Sequence, residues 1–145
     1  MAISTLTQDL TIKVPAASVA ANEPVAQPSN QFIEQLVAQH GAPLMVLDCE
    51  SVRHQYRALS RALPSVDLHF ALKPLPHPAV VRTLLEEGAS FDLATSGEVD
   101  LVASQGVPSD RTIHTHPIKR DRDIRDALEY GCNVFVVDNI NELEK

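Results

Sequence analysis

The sequence lacks a basic excess: 12 Lys and Arg stand against 19 Asp and Glu, a formal charge of −7. Nucleic-acid binders neutralise phosphates with clustered cations, so that class is disfavoured. Long apolar runs are missing too. The longest are a handful of residues, against about 20 for a membrane span. Cysteine is scarce. Cys49 and Cys132 stand far apart and fit no metal spacing. They read as the reduced thiols of a cytoplasmic protein, not as a disulfide framework. No G-x-G-x-x-G or G-x-x-x-x-G-K-[ST] follows any predicted strand, which weakens dinucleotide and P-loop readings. Lys13 is the only basic side chain in the first thirty residues. Neither a secretory signal nor an arginine-rich transit peptide is recognisable there.

What is present fits one ordinary domain. The 145 residues are 44% hydrophobic and 21% charged, which excludes disorder, collagen and coiled coil for the chain as a whole. Residues 1–30 are rich in Ala, Ser, Thr, Val, Gln and Pro, with breakers at Pro15, Pro24 and Pro28. Leu10 to Val14 is a short strand candidate. Residues 15–29 read as a mobile linker with too little apolar surface to offset ordering. The expected division is therefore a flexible segment over 1–30 and one α/β domain over 31–145.

From Gln31 the pattern is regular. Helices are predicted over 31–40, 51–63, 79–87, 97–105 and 121–130, and another opens at Asn139. Strands are predicted over 44–47, 66–72, 89–94, 111–115 and 134–137. Gly41, Gly88, Gly106 and Gly131 stand where helices should stop. Thr95-Ser96-Gly97-Glu98 and Asn139-Ile140-Asn141-Glu142 both fit capping boxes. The strand centres Phe70, Phe91, Ile113 and Phe135 recur about every 22 residues, the length of one strand, one helix and two short loops. This alternation implies right-handed crossovers and a parallel sheet. A doubly wound open sheet and part of a barrel both fit. A complete eight-stranded α/β barrel needs roughly 250 residues, more than this chain holds.

Strand alternation sorts the polar residues. Val66, Leu68, Phe70 and Leu72 oppose Asp67, His69, Ala71 and Lys73. Phe91 and Leu93 oppose Ser90, Asp92 and Ala94. In the third strand Ile113 is assigned to the apolar face, and His114 and His116 to the polar one. Lys73, Asp92 and His116 then share one face near the C-terminal ends of three strands, where parallel α/β folds place ligands. Plainer roles stand beside this one. Lys73 can be a surface charge, although a lysine ending an apolar strand can be desolvated, which frees its amine for a Schiff base. Asp92 can be a loop cap, or the counter-ion of a cationic imine. Glu98 fits a helix cap, and His116 fits the start of the turn at Pro117. Lys119 and Arg120 precede a helix and are expected to be solvated. His69, His77 and His114 lack a second spaced ligand for zinc.

These residues carry a resemblance. Phe70-Ala71-Leu72-Lys73 is similar to the Tyr-Ala-Val-Lys segment of pyridoxal-phosphate (PLP) enzymes with the alanine-racemase fold. The stretch Glu87 to Glu98, reading Glu-Gly-Ala-Ser-Phe-Asp-Leu-Ala-Thr-Ser-Gly-Glu, resembles the family's segment carrying a paired Asp and Glu. His116-Pro117-Ile118-Lys119 resembles an Asn-Pro-x-Lys turn, with His in place of Asn. Pro43 to Asp48 and Val136 to Asn139 match two further strand segments. Over about residues 40–145 the chain resembles the decarboxylases of ornithine, lysine and diaminopimelate, with wording most like bacterial ornithine decarboxylases.

The resemblance implies the first half of a PLP-binding (β/α)8 TIM-type barrel, truncated. It implies that Lys73 bonds PLP and that Asp92 sits beside that bond. Glu98 would lie in the same acidic surroundings, Ala71 would leave room beneath the cofactor, and His116 would line the site. The implied reaction is decarboxylation of a basic amino acid, L-ornithine to putrescine, with lysine or diaminopimelate as alternatives. The implied partners are an amino-acid substrate and, in the full-length form, a second copy in a homodimer. The ring-stacking His, the glycine-rich phosphate loop, the pyridine-pairing acid and the C-terminal β domain are expected beyond residue 145. The chain is thus expected to be a fragment, inactive alone. Other hypotheses are a racemase, a PLP carrier on a lone barrel, and a non-catalytic binding or regulatory protein derived from the family. Intact Lys73 and Asp92 argue against the last.

Overall fold

The computed structural model describes residues 28–145. The strand candidate at Leu10 to Val14, and nearly all of the segment expected to be flexible, lie outside the described residues.

Helix α1 (Asn30–His40) starts at Ser29, whose side chain accepts the Phe32 N–H, and stops at Gly41. Helix α2 (Cys49–Ala62) starts at Asp48, whose carboxylate accepts the Glu50 N–H and the Ser51 hydroxyl. Between them the expected strand over 44–47 does not form. No strand among the described residues pairs with it, and an unpaired apolar run has no ladder to join. Met45 is 89% exposed as a result.

The rhythm then runs as predicted. It gives β1 (His69–Ala71), α3 (Pro78–Glu86), β2 (Ser90–Leu93), α4 (Ser96–Ser104), β3 (Thr112–His114), α5 (Asp121–Tyr130) and α6 (Ile140–Leu143). A short 3-10 turn at Ser109–Arg111 leads into β3. The strands form one parallel sheet in the order β1-β2-β3. The predicted strand over 134–137 shrinks to a single bridge between Phe135 and His114, where the His114 N–H meets the Val134 carbonyl and the Val136 N–H meets the His114 carbonyl. It lies at the sheet edge, where nothing among the described residues pairs with its other side.

The core lies between the sheet and the helices. Phe91 and Leu93 pack with Leu72, Val80, Val81, Leu84, Val99 and Val102, all buried. The helix after β2 is pinned to the next one. Asp123, near the start of α5, accepts both the backbone N–H and the hydroxyl of Ser96 at the start of α4.

Register corrects one sequence expectation. Phe91 pairs with Thr112, Asp92 with Ile113 and Leu93 with His114. Paired residues of neighbouring strands share a face. Thr112 and His114 therefore lie on the helix side with Phe91 and Leu93, while Ile113 and Thr115 lie with Asp92. The expected parity of β3 is reversed. A three-residue strand with one aliphatic side chain carries too little pattern to set its own face, so the register with β2 sets it. His114 is fully buried and stacks on Phe135, with ring centroids 5.5 Å apart. Neither ring nitrogen has a hydrogen-bond partner among the described residues. Burial, and then the nearby Lys119 charge, push its pKa down, so the ring stays neutral at pH 7.

Candidate active site

Three strand ends build the site. Ala71 and Asp92 are register partners on β1 and β2. Lys73 stands two residues beyond Ala71 on the same face, and Ala94 stands two beyond Asp92. The Leu72 N–H donates to the Asp92 carbonyl and extends the ladder to the lysine's doorstep. From the segment that follows β3 come Thr115, His116 and Pro117. These residues line an open cavity of about 210 Å³, with Ala71, Lys73, Asp92 and Ala94 on one wall. Parallel α/β sheets concentrate ligand sites at this end.

Among the described residues, Asp92 is held by Thr115 alone. Its Oδ1 accepts the Thr115 N–H at 3.0 Å, and its Oδ2 accepts the Thr115 hydroxyl at 2.6 Å. Lys73 is exposed. Its ammonium has no ion-pair partner among the described residues. The desolvated lysine anticipated from sequence is therefore not what this fold provides, because nothing among the described residues covers this face of the sheet. The Nδ1 of His116 accepts the Ile118 N–H at 3.3 Å. A neutral ring in that geometry carries its proton on Nε2.

Glu98 lies behind the site and does not line the cavity. It is buried, its Oε2 accepts the Ala94 N–H at 2.6 Å, and its own N–H is capped by the Thr95 hydroxyl. It thereby anchors the backbone at Ala94, one residue before the Thr95 cap. Lys119 corrects another expectation. It is buried, not solvated. Its ammonium donates to the carbonyls of Val136 at 2.7 Å and His116 at 3.0 Å, and lies 3.6 Å from the Glu142 carboxylate. A buried ammonium needs such partners, and here they tie the 116–118 turn to the next segment. Arg120 keeps its exposure while pairing with Asp123.

Sequence reasoning missed Thr115. Its signal was available only through register, since the parity drawn from Ile113 alone put it on the wrong face.

With this geometry in view, the comparisons with known proteins are specific. Residues 49–145 match the family described as pyridoxal-dependent decarboxylase, pyridoxal binding domain. The chain is 38% identical over 111 residues to a diaminopimelate decarboxylase of Actinosynnema pretiosum subsp. auranticum, covering 77% of this chain and 25% of that one. It superposes on the lysine/ornithine decarboxylase of Vibrio vulnificus, solved with putrescine, with a TM-score of 0.77 and 74% identity. That match covers 80% of this chain and 33% of the other. The lysine decarboxylase of Selenomonas ruminantium gives a TM-score of 0.79 at 26% identity, over 82% and 31% of the two chains. The chain thus spans about a quarter to a third of the length of these relatives. Parallel β/α units ending in Lys73 and Asp92, and a family match over two thirds of the sequence, lead to one conclusion: the chain belongs to the pyridoxal-dependent decarboxylases and corresponds to part of their pyridoxal-binding domain.

Proposed function

We propose that this chain supplies the cofactor-linking wall of a PLP-dependent decarboxylase of basic amino acids, with L-ornithine as the preferred substrate and putrescine as the product. The observation that carries this reading is the grouping of a free lysine amine, a restrained carboxylate and two alanines at the C-terminal ends of adjacent parallel strands. These residues fit an aromatic aldehyde. Lys73 has no competing partner among the described residues, and Ala71 and Ala94 leave the wall beside it low enough for a flat ring. When bound, PLP supplies an electron sink for the carbanion left as CO₂ departs.

The chain's own residues prepare that chemistry. The Lys73 amine would hold PLP through its aldehyde group, with water as the leaving group. Asp92, held by Thr115, would present its negative charge at the same end of the cavity as Lys73 without pairing with it. His116 offers an Nε2–H donor at the cavity rim. Glu98 works at a distance, by fixing the backbone of Ala94. The sequence's five glycines are isolated from one another, so the phosphate is assigned to residues outside this segment. Ornithine is preferred over lysine because the motif wording is most like the bacterial ornithine enzymes. The Vibrio vulnificus relative, named for both substrates, makes lysine the second reading.

A chimera tests the proposal. Residues 28–145 replace the matching segment of the Vibrio vulnificus enzyme, and diamine products are quantified by mass from ornithine and from lysine. The chimera is expected to release putrescine faster than cadaverine, and Lys73→Ala is expected to lose at least about 10³-fold in rate. A folded, PLP-loaded chimera that makes neither diamine contradicts the proposal.

A further inference from the structure

We propose that Thr115 is a positioning residue: by holding both carboxylate oxygens of Asp92, it keeps that carboxylate off Lys73 and leaves the lysine amine unpaired. The proposal rests on the reading of Lys73 as the amine that joins an aldehyde.

Asp92 and Lys73 share one face of adjacent strands. Lys73 lies two residues past Ala71, the register partner of Asp92. Cross-strand neighbours on that diagonal are within reach of a long side chain, and lysine has a flexible four-carbon stem. Opposite charges so placed attract. An ion pair would favour the protonated amine, which carries no lone pair for attack. Yet Lys73 makes no ion pair among the described residues, and both Asp92 oxygens are turned to Thr115, at 3.0 Å from the backbone N–H and 2.6 Å from the hydroxyl. The second distance is that of a charge-assisted O–H···O bond. Two-point attachment fixes the plane of the carboxylate. A β-branched residue is stiff at χ1, so the hydroxyl stays aimed.

The other charged and titratable groups around Lys73 are engaged or distant. His69 stands earlier on the same face of β1, with its ring against the Asp67 carbonyl. His77, at the start of α3, accepts the Ala79 N–H. His116 accepts the Ile118 N–H. Glu98 on α4 is bonded to the Ala94 N–H. Among the described residues, Asp92 is the one carboxylate lining the cavity. Freed from the Thr115 hydroxyl, it would turn toward the ammonium.

Competitive acetylation of the full chain tests this. Acetic anhydride is applied across a pH series, and the Lys73 peptide is quantified by mass in wild type, Thr115→Val and Thr115→Ser. Thr115→Val is expected to raise the Lys73 titration midpoint by about 0.5 pH unit, the scale of a solvent-exposed ion pair. Below the midpoint that is roughly threefold slower acetylation. Thr115→Ser is expected to keep the wild-type midpoint. Adding Asp92→Asn to Thr115→Val is expected to abolish the rise. Should Thr115→Val fail to fold, Thr115→Ala carries the same expectation. A midpoint unmoved in the folded Val or Ala variant, or a rise that survives Asp92→Asn, overturns the proposal. The reagent needs no cofactor. Failure of PLP to join Lys73 would therefore overturn the functional reading while leaving this result to be judged separately.

Discussion

Replacing Asp123 by Asn should destabilise the fold by an amount the structure allows to be worked out. Its side chain is 5% exposed and accepts four hydrogen bonds. Oδ1 takes the Ser96 N–H at 3.0 Å, the Ser96 hydroxyl at 2.9 Å and Arg120 Nη2 at 2.9 Å, and Oδ2 takes Arg120 Nε at 2.7 Å. Asn keeps one oxygen for Ser96 but turns an NH₂ toward Arg120. The arginine side chain is 73% exposed and can return to water, so losing that pair costs only about 0–1 kcal/mol. The Ser96 bonds fall from charged-acceptor strength to neutral strength, about 1 kcal/mol less for each. The expected loss is about 2–3 kcal/mol. With a urea slope of about 2 kcal/mol per M, the unfolding midpoint should drop by about 1–1.5 M at pH 7.

The pH dependence supplies a second check. Arg120, then the Ser96 donors, hold the Asp123 carboxyl well below its ordinary value of 3.8. A group with a depressed folded pKa contributes fully above its unfolded value and loses that contribution as pH falls toward the folded one. The gap between wild type and Asp123→Asn should therefore stay constant from pH 8 to about 5 and narrow below about 4. Urea unfolding followed by circular dichroism reads both. A midpoint shift under about 0.3 M at pH 7, or a gap that persists unchanged at the acid end, would refute the clasp between α4 and α5.

Two further stability predictions concern packing. Gly131 ends α5 at φ +103°, and an added Cβ would stand 2.7 Å from the Ser109 hydroxyl oxygen. Gly131→Ala should cost more than about 1 kcal/mol. Gly88→Ala, which shares the left-handed backbone but meets open space, should cost less in the same thermal melt, and equal losses would contradict the steric argument. Phe91 is fully buried at the centre of the core. Phe91→Ala should cost about 3–5 kcal/mol, and a loss under about 1 kcal/mol would place the core elsewhere.

The sequence made the helices legible because their punctuation is local. Ser29, Asp48, Thr95 and Asn139 cap within a few residues of themselves, and Gly131 stops its helix by its own φ. Lys73, Asp92 and Ala71 were placed correctly on one face, since β1 and β2 alternate cleanly enough to declare it. Thr115 and Lys119 were not legible, for a different reason. The role of Thr115 depends on the β2–β3 register, and burial of Lys119 depends on carbonyls that only the folded chain brings together. The strand over 44–47 was misread because apolar composition does not supply a pairing partner.

Lys73 is the amine proposed to join PLP. The most direct measurement incubates the chain with PLP, reduces with borohydride, digests the protein and maps the pyridoxyl group by mass. One modified peptide is expected, the one containing Lys73, absent in Lys73→Ala. Label scattered over the surface lysines, or undiminished in Lys73→Ala, would contradict it.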